Sequence, residues 1–196
     1  MITKGFTLIE LIIVIGIIAL LATTVILVIN PVKIFQEARD SQRLADLGQV
    51  NSAMGLYVAT SGTISLDNDA GNLCDTVGAV AGKCWVHNST PAAGANCSSR
   101  YAGKTTVASA IQKVDGTGWL PVNLGTTSGG APLAAYPRDP KKDRFYAYAC
   151  TEANNTFELS ADMESGRYSN GGDDDVENTD GGTNADLFEV GTNVQL

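Results

Sequence analysis

The chain has 196 residues, of which 44% are hydrophobic and 17% are charged. A chain of this length builds one compact domain with an additional element, and it is too short for two large cores. Its 21 acidic and 13 basic side chains give a formal net charge of −8, which disfavours binding to nucleic acid or to anionic lipid surfaces.

A continuous apolar segment covers residues 6–29. As a helix this segment would extend roughly 36 Å, enough to cross the ~30 Å hydrocarbon core of a membrane. Because it is longer than the apolar region of a secretory signal peptide, we interpret it as a membrane anchor. Its one ionisable side chain, Glu10, is costly to bury in lipid without a partner. No Lys, Arg or His lies between Gly5 and Asn30, so the predicted partner is a backbone amine freed by cleavage; the alternative is a Glu10 that reaches the membrane interface.

The start of this anchor carries a specific motif. Residues 4–10, KGFTLIE, followed by the apolar run, resemble the class III signal of type IV pilins and type II secretion pseudopilins. The resemblance implies that prepilin peptidase cleaves after Gly5, that the new N-terminal Phe6 is methylated, and that Glu10 neutralises the N-terminus of a neighbouring subunit. The implied partners are copies of this chain, other pilins and a pilus or secretion assembly platform. The chain would be a single-pass membrane protein before assembly and part of an extracytoplasmic or extracellular filament afterwards.

The next segment, residues 31–59, is predicted to be an amphipathic helix that packs on a sheet of the same chain. Asn30 is a good helix cap, and Pro31 is tolerated in a first helical turn. One face carries apolar residues at steps of three and four: Leu44, Leu47, Val50, Met54 and Tyr57. The other face carries charges that we expect to be solvated: Glu37, Arg39, Asp40, Arg43 and Asp46.

Residues 60–196 indicate a β-rich head. Strands are predicted at residues 145–151, 157–163 and 119–124, with a last strand at 187–190 or from 187 to the end of the chain. Residues 105–114 fit either helix or strand, and residues 67–104 and 125–144 indicate surface loops. In the second strand of the 145–163 hairpin, Phe157, Leu159, Ala161 and Met163 are expected to face the core, and Glu158, Ser160, Asp162 and Glu164 the solvent. The expected fold class is α+β, a long N-terminal helix on a small antiparallel sheet. The resemblance implies the type IV pilin-like fold, with a leader at 1–5 and an anchor at 6–30.

A short motif before the hairpin resembles a second feature of the family. Tyr136-Pro-Arg-Asp-Pro140 is similar to the Pro-x-Asp-Pro that precedes an aromatic-rich strand in major pseudopilins. It occupies the position that the family resemblance predicts.

The four cysteines, Cys74, Cys84, Cys97 and Cys150, all follow the anchor. None forms a C-x-x-C pair, and a single His87 cannot complete a zinc site of usual spacing. Two disulfides are therefore expected, in an oxidising compartment. Three connectivities are open, and we favour Cys74–Cys84 with Cys97–Cys150; four reduced thiols are the alternative.

The segment 168–196, called here the acidic segment, contains seven carboxylates and no basic side chain after Arg167. The resemblance to major pseudopilins, which bind calcium at this place, implies a calcium site, with Asp173, Asp175 and Asp180 as first candidates. The EF-hand pattern fails, because the required glycine position holds Asp180. The alternative is a flexible acidic loop without metal. No cofactor other than calcium is predicted.

Enzyme motifs are incomplete. Gly103-Lys104-Thr105 ends like a phosphate loop, but Ser98 replaces the first glycine, and neither G-x-S-x-G nor H-E-x-x-H occurs. We therefore expect no enzyme, but a structural subunit of a type IV pilus or pseudopilus. The alternatives are a major pseudopilin of a type II secretion system, an adhesive minor pilin and, remotely, a membrane-anchored extracytoplasmic enzyme.

Overall fold

The computed structural model describes residues 5–68, 72–75, 81–87 and 97–196. Its contacts divide the chain into two compact units, Met1–Gln36 and Glu37–Leu196. Residues 1–4 of the predicted leader lie outside the described residues.

Two helices begin the chain, α1 at Leu8–Ile29 and α2 at Pro31–Thr60. Between them Asn30 adopts the left-handed conformation, with φ of 43°. Pro31 disfavours the α conformation in the residue before it, and asparagine tolerates the left-handed region better than most residues. The helical path is therefore interrupted at Asn30.

The second unit contains most of α2 and a five-stranded sheet. Its strands are β1 Lys83–His87, β2 Thr105–Ser109, β3 Ala147–Thr151, β4 Thr156–Ala161 and β5 Phe188–Gly191, in the order β2-β1-β3-β4-β5. Three of the pairings are antiparallel, whereas β1 and β2 run parallel. The α+β prediction is confirmed, but the sheet is mixed rather than wholly antiparallel.

The predicted strands were partly correct. The hairpin forms as expected, with Asn155 at φ of 50° closing the turn between β3 and β4. β1, however, lies inside the stretch predicted as loop. The residues at 119–124 form no strand but only an isolated bridge, between Asn123 and Asp115. Pro121 has no amide to donate to a sheet.

The main core lies between α2 and one face of the sheet. The predicted stripe residues Leu47, Val50, Met54 and Tyr57 are buried there against the sheet's aromatic side chains. Tyr148, for example, lies 5.7 Å from Trp85 and 6.5 Å from Phe157 between ring centroids. This packing, rather than helix propensity alone, fixes α2 on the sheet.

The opposite face of the sheet is also covered. A second cluster contains Cys84, Val86, Cys97, Tyr101, Ala147 and Ala149. Glu158 and Ser160 point to this side and are 1% and 0% exposed, so their predicted solvent exposure was wrong. Tyr101 covers them, and its hydroxyl lies 3.1 Å from the Ser160 hydroxyl oxygen.

The charged face of α2 is not wholly solvated either. Arg43 is fully buried and binds three carboxylates, those of Asp40, Asp139 and Glu164, at 2.7, 2.7 and 2.6 Å. Asp40 also accepts backbone hydrogen bonds from Glu164 and Ser165. The exposure predicted for Asp40 and Arg43 was therefore wrong. These four side chains, called here the Arg43 cluster, join α2 to two distant segments of the head.

Two disulfides form, but with a different pairing from the one favoured. The bridges are Cys74–Cys150 and Cys84–Cys97, and no described cysteine is free. Cys84 is paired in register with Ala149, the neighbour of Cys150. Because successive residues of a strand point to opposite faces, Cys84 and Cys150 lie on opposite sides of the sheet. Each pairs with the cysteine on its own side, which excludes a Cys74–Cys84 bridge.

Candidate functional site

The N-terminal candidate site is built on the first turn of α1. Thr7 is the N-cap residue, and Glu10 is the third residue of the helix. The hydroxyl and the amide of Thr7 donate to Glu10 Oε2 at 2.7 and 2.9 Å, and the amide of Glu10 donates to the Thr7 hydroxyl at 3.3 Å. This reciprocal arrangement is a capping box, which satisfies helix amides that have no backbone partner.

The capping box supplies part of the hydrogen bonding that the Glu10 carboxylate needs in an apolar surrounding. No cationic side chain lies between Gly5 and Asn30, but Thr7 supplies two donors to the Glu10 carboxylate. Sequence reasoning missed this, although Thr followed three residues later by Glu is a known signature of a helix start. Neutral donors orient the carboxylate but leave its negative charge uncompensated.

The residues at the predicted cleavage point are accessible. Phe6 is 82% exposed, and a side chain placed on Gly5 would meet no atom within 4 Å. Leu8–Ile26 is long and apolar enough to cross a membrane, and none of this window is buried within the protein. Such a surface in water would be a large exposed apolar patch, so α1 requires lipid or another protein around it.

The acidic segment uses its carboxylates to hold its own backbone. Asp175 accepts amides from Gly171, Glu177 and Asn178. Asp180 accepts amides from Gly182 and Glu189. Asp173 makes no such bond within the described part of the chain. The three predicted calcium ligands do not bring their carboxylates together. Among the described residues, the one group of three potential ligand side chains that converge is Asp67, Cys74 and Glu152.

Neither that group nor the incomplete phosphate loop forms a functional site. Cys74 is bonded to Cys150, which removes its thiolate. Lys104, from the phosphate-loop-like stretch, donates to the backbone carbonyls of Cys74 and Cys150. This lysine therefore stabilises the chain around one disulfide instead of meeting a phosphate.

The chain thus combines an apolar first helix, which is long enough to cross a membrane and holds an acidic residue in its capping box, with a small α+β head that carries two disulfides. In the comparison with protein families, residues 2–26 match the prokaryotic N-terminal methylation motif. This motif is the class III signal peptide of type IV pilins and pseudopilins, so the chain carries the precursor signal of pilin-like structural proteins. No curated protein and no solved structure matches the chain.

Proposed function

We propose that this chain is the precursor of a structural subunit of a type IV pilus or pseudopilus. Prepilin peptidase cleaves it after Gly5, Phe6 is methylated, and the mature chains polymerise through α1. The observation that carries the proposal is the match of residues 2–26 to the methylation motif, together with the apolar window Leu8–Ile26 of α1, none of which is buried in the single chain.

Polymerisation supplies what the single chain lacks. Removing residues 1–5 creates an amine on Phe6, next to the Thr7 that already binds Glu10. In a low-dielectric surrounding, a carboxylate is stabilised far more by a cation than by neutral donors. A Phe6 amine from a neighbouring subunit can meet the Glu10 carboxylate while the apolar faces of the α1 helices bury one another. The same contact would set the axial register between subunits.

The test begins with the mature N-terminus. Mass spectrometry of the native protein is expected to show a chain that begins at methylated Phe6. A Glu10→Val variant should be expressed, inserted and cleaved but excluded from filaments. Thr23→Val is the matched control, because the Thr23 hydroxyl donates to the carbonyls of Ala19 and Leu20 within its own helix. Normal filaments from Glu10→Val would refute the charge-pairing proposal, and a native chain that retains Met1 would refute the whole function.

A major pseudopilin of a type II secretion system is the second candidate. The motif at 136–140 favours it through its resemblance to the Pro-x-Asp-Pro of major pseudopilins. Asp139 of this motif accepts two hydrogen bonds from the buried Arg43, at 2.8 and 2.7 Å. The calcium site at Asp173, Asp175 and Asp180 is a proposal tied to this candidate. Deletion of the chain should then abolish secretion of specific proteins and leave surface pili intact. Loss of surface pili with normal secretion would select the pilus.

A further inference from the structure

The head carries a basic cavity that filament assembly through α1 does not use. Residues 138–144 read RDPKKDR, so four of the chain's 13 basic side chains fall within seven residues of a protein whose net charge is −8. The cavity has a volume of about 130 Å³ and is lined by His87, Arg138, Asp139, Pro140, Lys141, Lys142 and Arg144. A space of this size exceeds the ~10–15 Å³ that one water requires by this measure, and it accommodates a small polyatomic ion.

The acidic side chains around the cavity are already bound. Both carboxylate oxygens of Asp139 accept hydrogen bonds from Arg43. Arg144 forms an ion pair with Asp162, and Lys141 lies 3.3 Å from Asp143. Asp139, the one acidic side chain that lines the cavity, is therefore neutralised by Arg43.

Two cations of the lining remain uncompensated. Arg138 and Lys142 form no ion pair or hydrogen bond with any residue that the structure describes, and both are exposed. Because the protein has a net charge of −8, two unpaired cations in one cavity create a local positive potential on a surface that is negative overall. Concave sites focus such a potential.

The inner wall of the cavity is formed by a buried side chain. His87, at the end of β1, is 6% exposed, and its ring meets the buried Trp119 edge-on at 6.3 Å. Burial, together with the nearby charge of Arg138, lowers the pKa of His87, so the ring is neutral at pH 7.

We propose that this cavity binds a small tetrahedral oxyanion, the phosphate or sulfate group of an extracytoplasmic ligand. A guanidinium supplies paired donors in a planar fork that matches such an anion, and an ammonium adds a compact charge. Arg138 and Lys142 are the binding residues, while the Arg43 cluster fixes Asp139 and so the position of the loop. A second copy's acidic segment is the competing occupant, and the experiment separates the two.

The experiment uses the full chain in detergent micelles, titrated with inorganic phosphate, sodium sulfate and sodium acetate by isothermal calorimetry. We expect saturable binding of phosphate, of sulfate or of both, and no saturation with acetate. The anion that binds more tightly identifies the ligand's charged group as a phosphate or a sulfate. The double variant Arg138→Ala/Lys142→Ala should bind at least tenfold more weakly. Lys33→Ala/Lys113→Ala, which removes the same charge elsewhere, should bind like the wild type.

Three outcomes would overturn the proposal. The first is a phosphate and sulfate titration without saturation, and the second is equal affinity in both double variants. The third is a wild-type chain that binds neither anion but self-associates, with that self-association lost in Arg138→Ala/Lys142→Ala, which would assign the cavity to the acidic segment of another copy. Near-ultraviolet circular dichroism establishes that both variants are folded. Cleavage after Gly5 is measured separately, so a failure here leaves the proposed function standing.

Discussion

Replacing Arg43 with alanine removes the one cation shared by Asp40, Asp139 and Glu164. Arg43, Asp40 and Asp139 are no more than 1% exposed at the side chain, and Glu164 is 2% exposed, so water cannot replace the lost contacts without opening the head. Breaking a buried ion pair by removing one partner costs about 3–5 kcal/mol, because it leaves uncompensated charge behind. That is a large share of the ~5–15 kcal/mol by which most domains are stable.

The geometry sets the details of this prediction. Glu164 keeps Arg39, at 2.7 Å, and Lys141, at 3.5 Å, after Arg43 is removed. Asp139 keeps one described donor, the amide of Lys141, and therefore bears most of the loss. Adding Asp139→Asn to Arg43→Ala should recover part of the stability, because the second change removes the stranded charge. A double-mutant cycle measures this coupling.

The assay is equilibrium unfolding in urea, followed by the fluorescence of the buried Trp85 and Trp119. Lys113→Ala is the control, because its ion pair with Asp115 is exposed and spans 4.0 Å; we expect a change within about 0.5 kcal/mol. A loss below about 1 kcal/mol for Arg43→Ala would show that the cluster is not dry, and would refute the reasoning.

The acid side of the stability curve provides a second measurement of the same cluster. Burial raises the pKa of Glu164, but hydrogen bonds from Arg39 and Arg43 lower it more, to about 2, from an ordinary value of 4.5. The stabilisation is therefore present above pH 4.5 and is lost as pH falls from 4.5 towards 2. In Arg43→Ala this acid transition should become shallower.

Three further predictions concern the head. Burial and the adjacent Glu189 raise the pKa of Glu158 to about 8, so the free energy of unfolding should fall as pH rises from 4.5 to 8. Glu158→Gln should flatten that slope, and an unchanged slope in urea titrations would contradict the assignment. Removing the Cys74–Cys150 bridge, which spans 76 residues, should cost about 4.5 kcal/mol, against about 3 kcal/mol for Cys84–Cys97, which spans 13; the reverse order in urea unfolding would contradict the chain-entropy argument. If the acidic segment binds calcium, millimolar calcium should raise the melting temperature and Asp173→Asn should reduce that shift; melting curves unaffected by calcium or by chelator would end the calcium proposal.

Local patterns predicted the elements whose signals are local. The apolar run of α1, the stripe of α2 and the hairpin of β3 and β4 each follow from a period within one segment. β1 was missed because its five residues lie in a Gly- and Ser-rich stretch, although Cys84-Trp85-Val86 was an available strand signal.

The wrong predictions of solvent exposure share a physical cause, which is contact between residues far apart in sequence. Arg43 is buried because Asp139 and Glu164, 96 and 121 residues away, come to meet it. Glu158 is buried because Tyr101 and the C-terminal Leu196 cover a sheet face that a single strand's alternation assigns to solvent. Periodicity within one segment does not predict a partner at that separation in sequence. The capping partner of Glu10, Thr7, lies three residues away and was predictable from the local motif.

The separation of the two disulfides by the sheet has a consequence for maturation. Of the three ways to pair four cysteines, the folded sheet accepts one, since Cys84 and Cys150 point to opposite faces. An oxidant that joins the nearest cysteines in sequence would trap Cys74 with Cys84 and hold β1 out of the sheet. Release from that non-native bridge requires thiolate exchange, which takes minutes to hours without a catalyst. Yield in a heterologous host should therefore depend on a disulfide isomerase more than on the supply of oxidant.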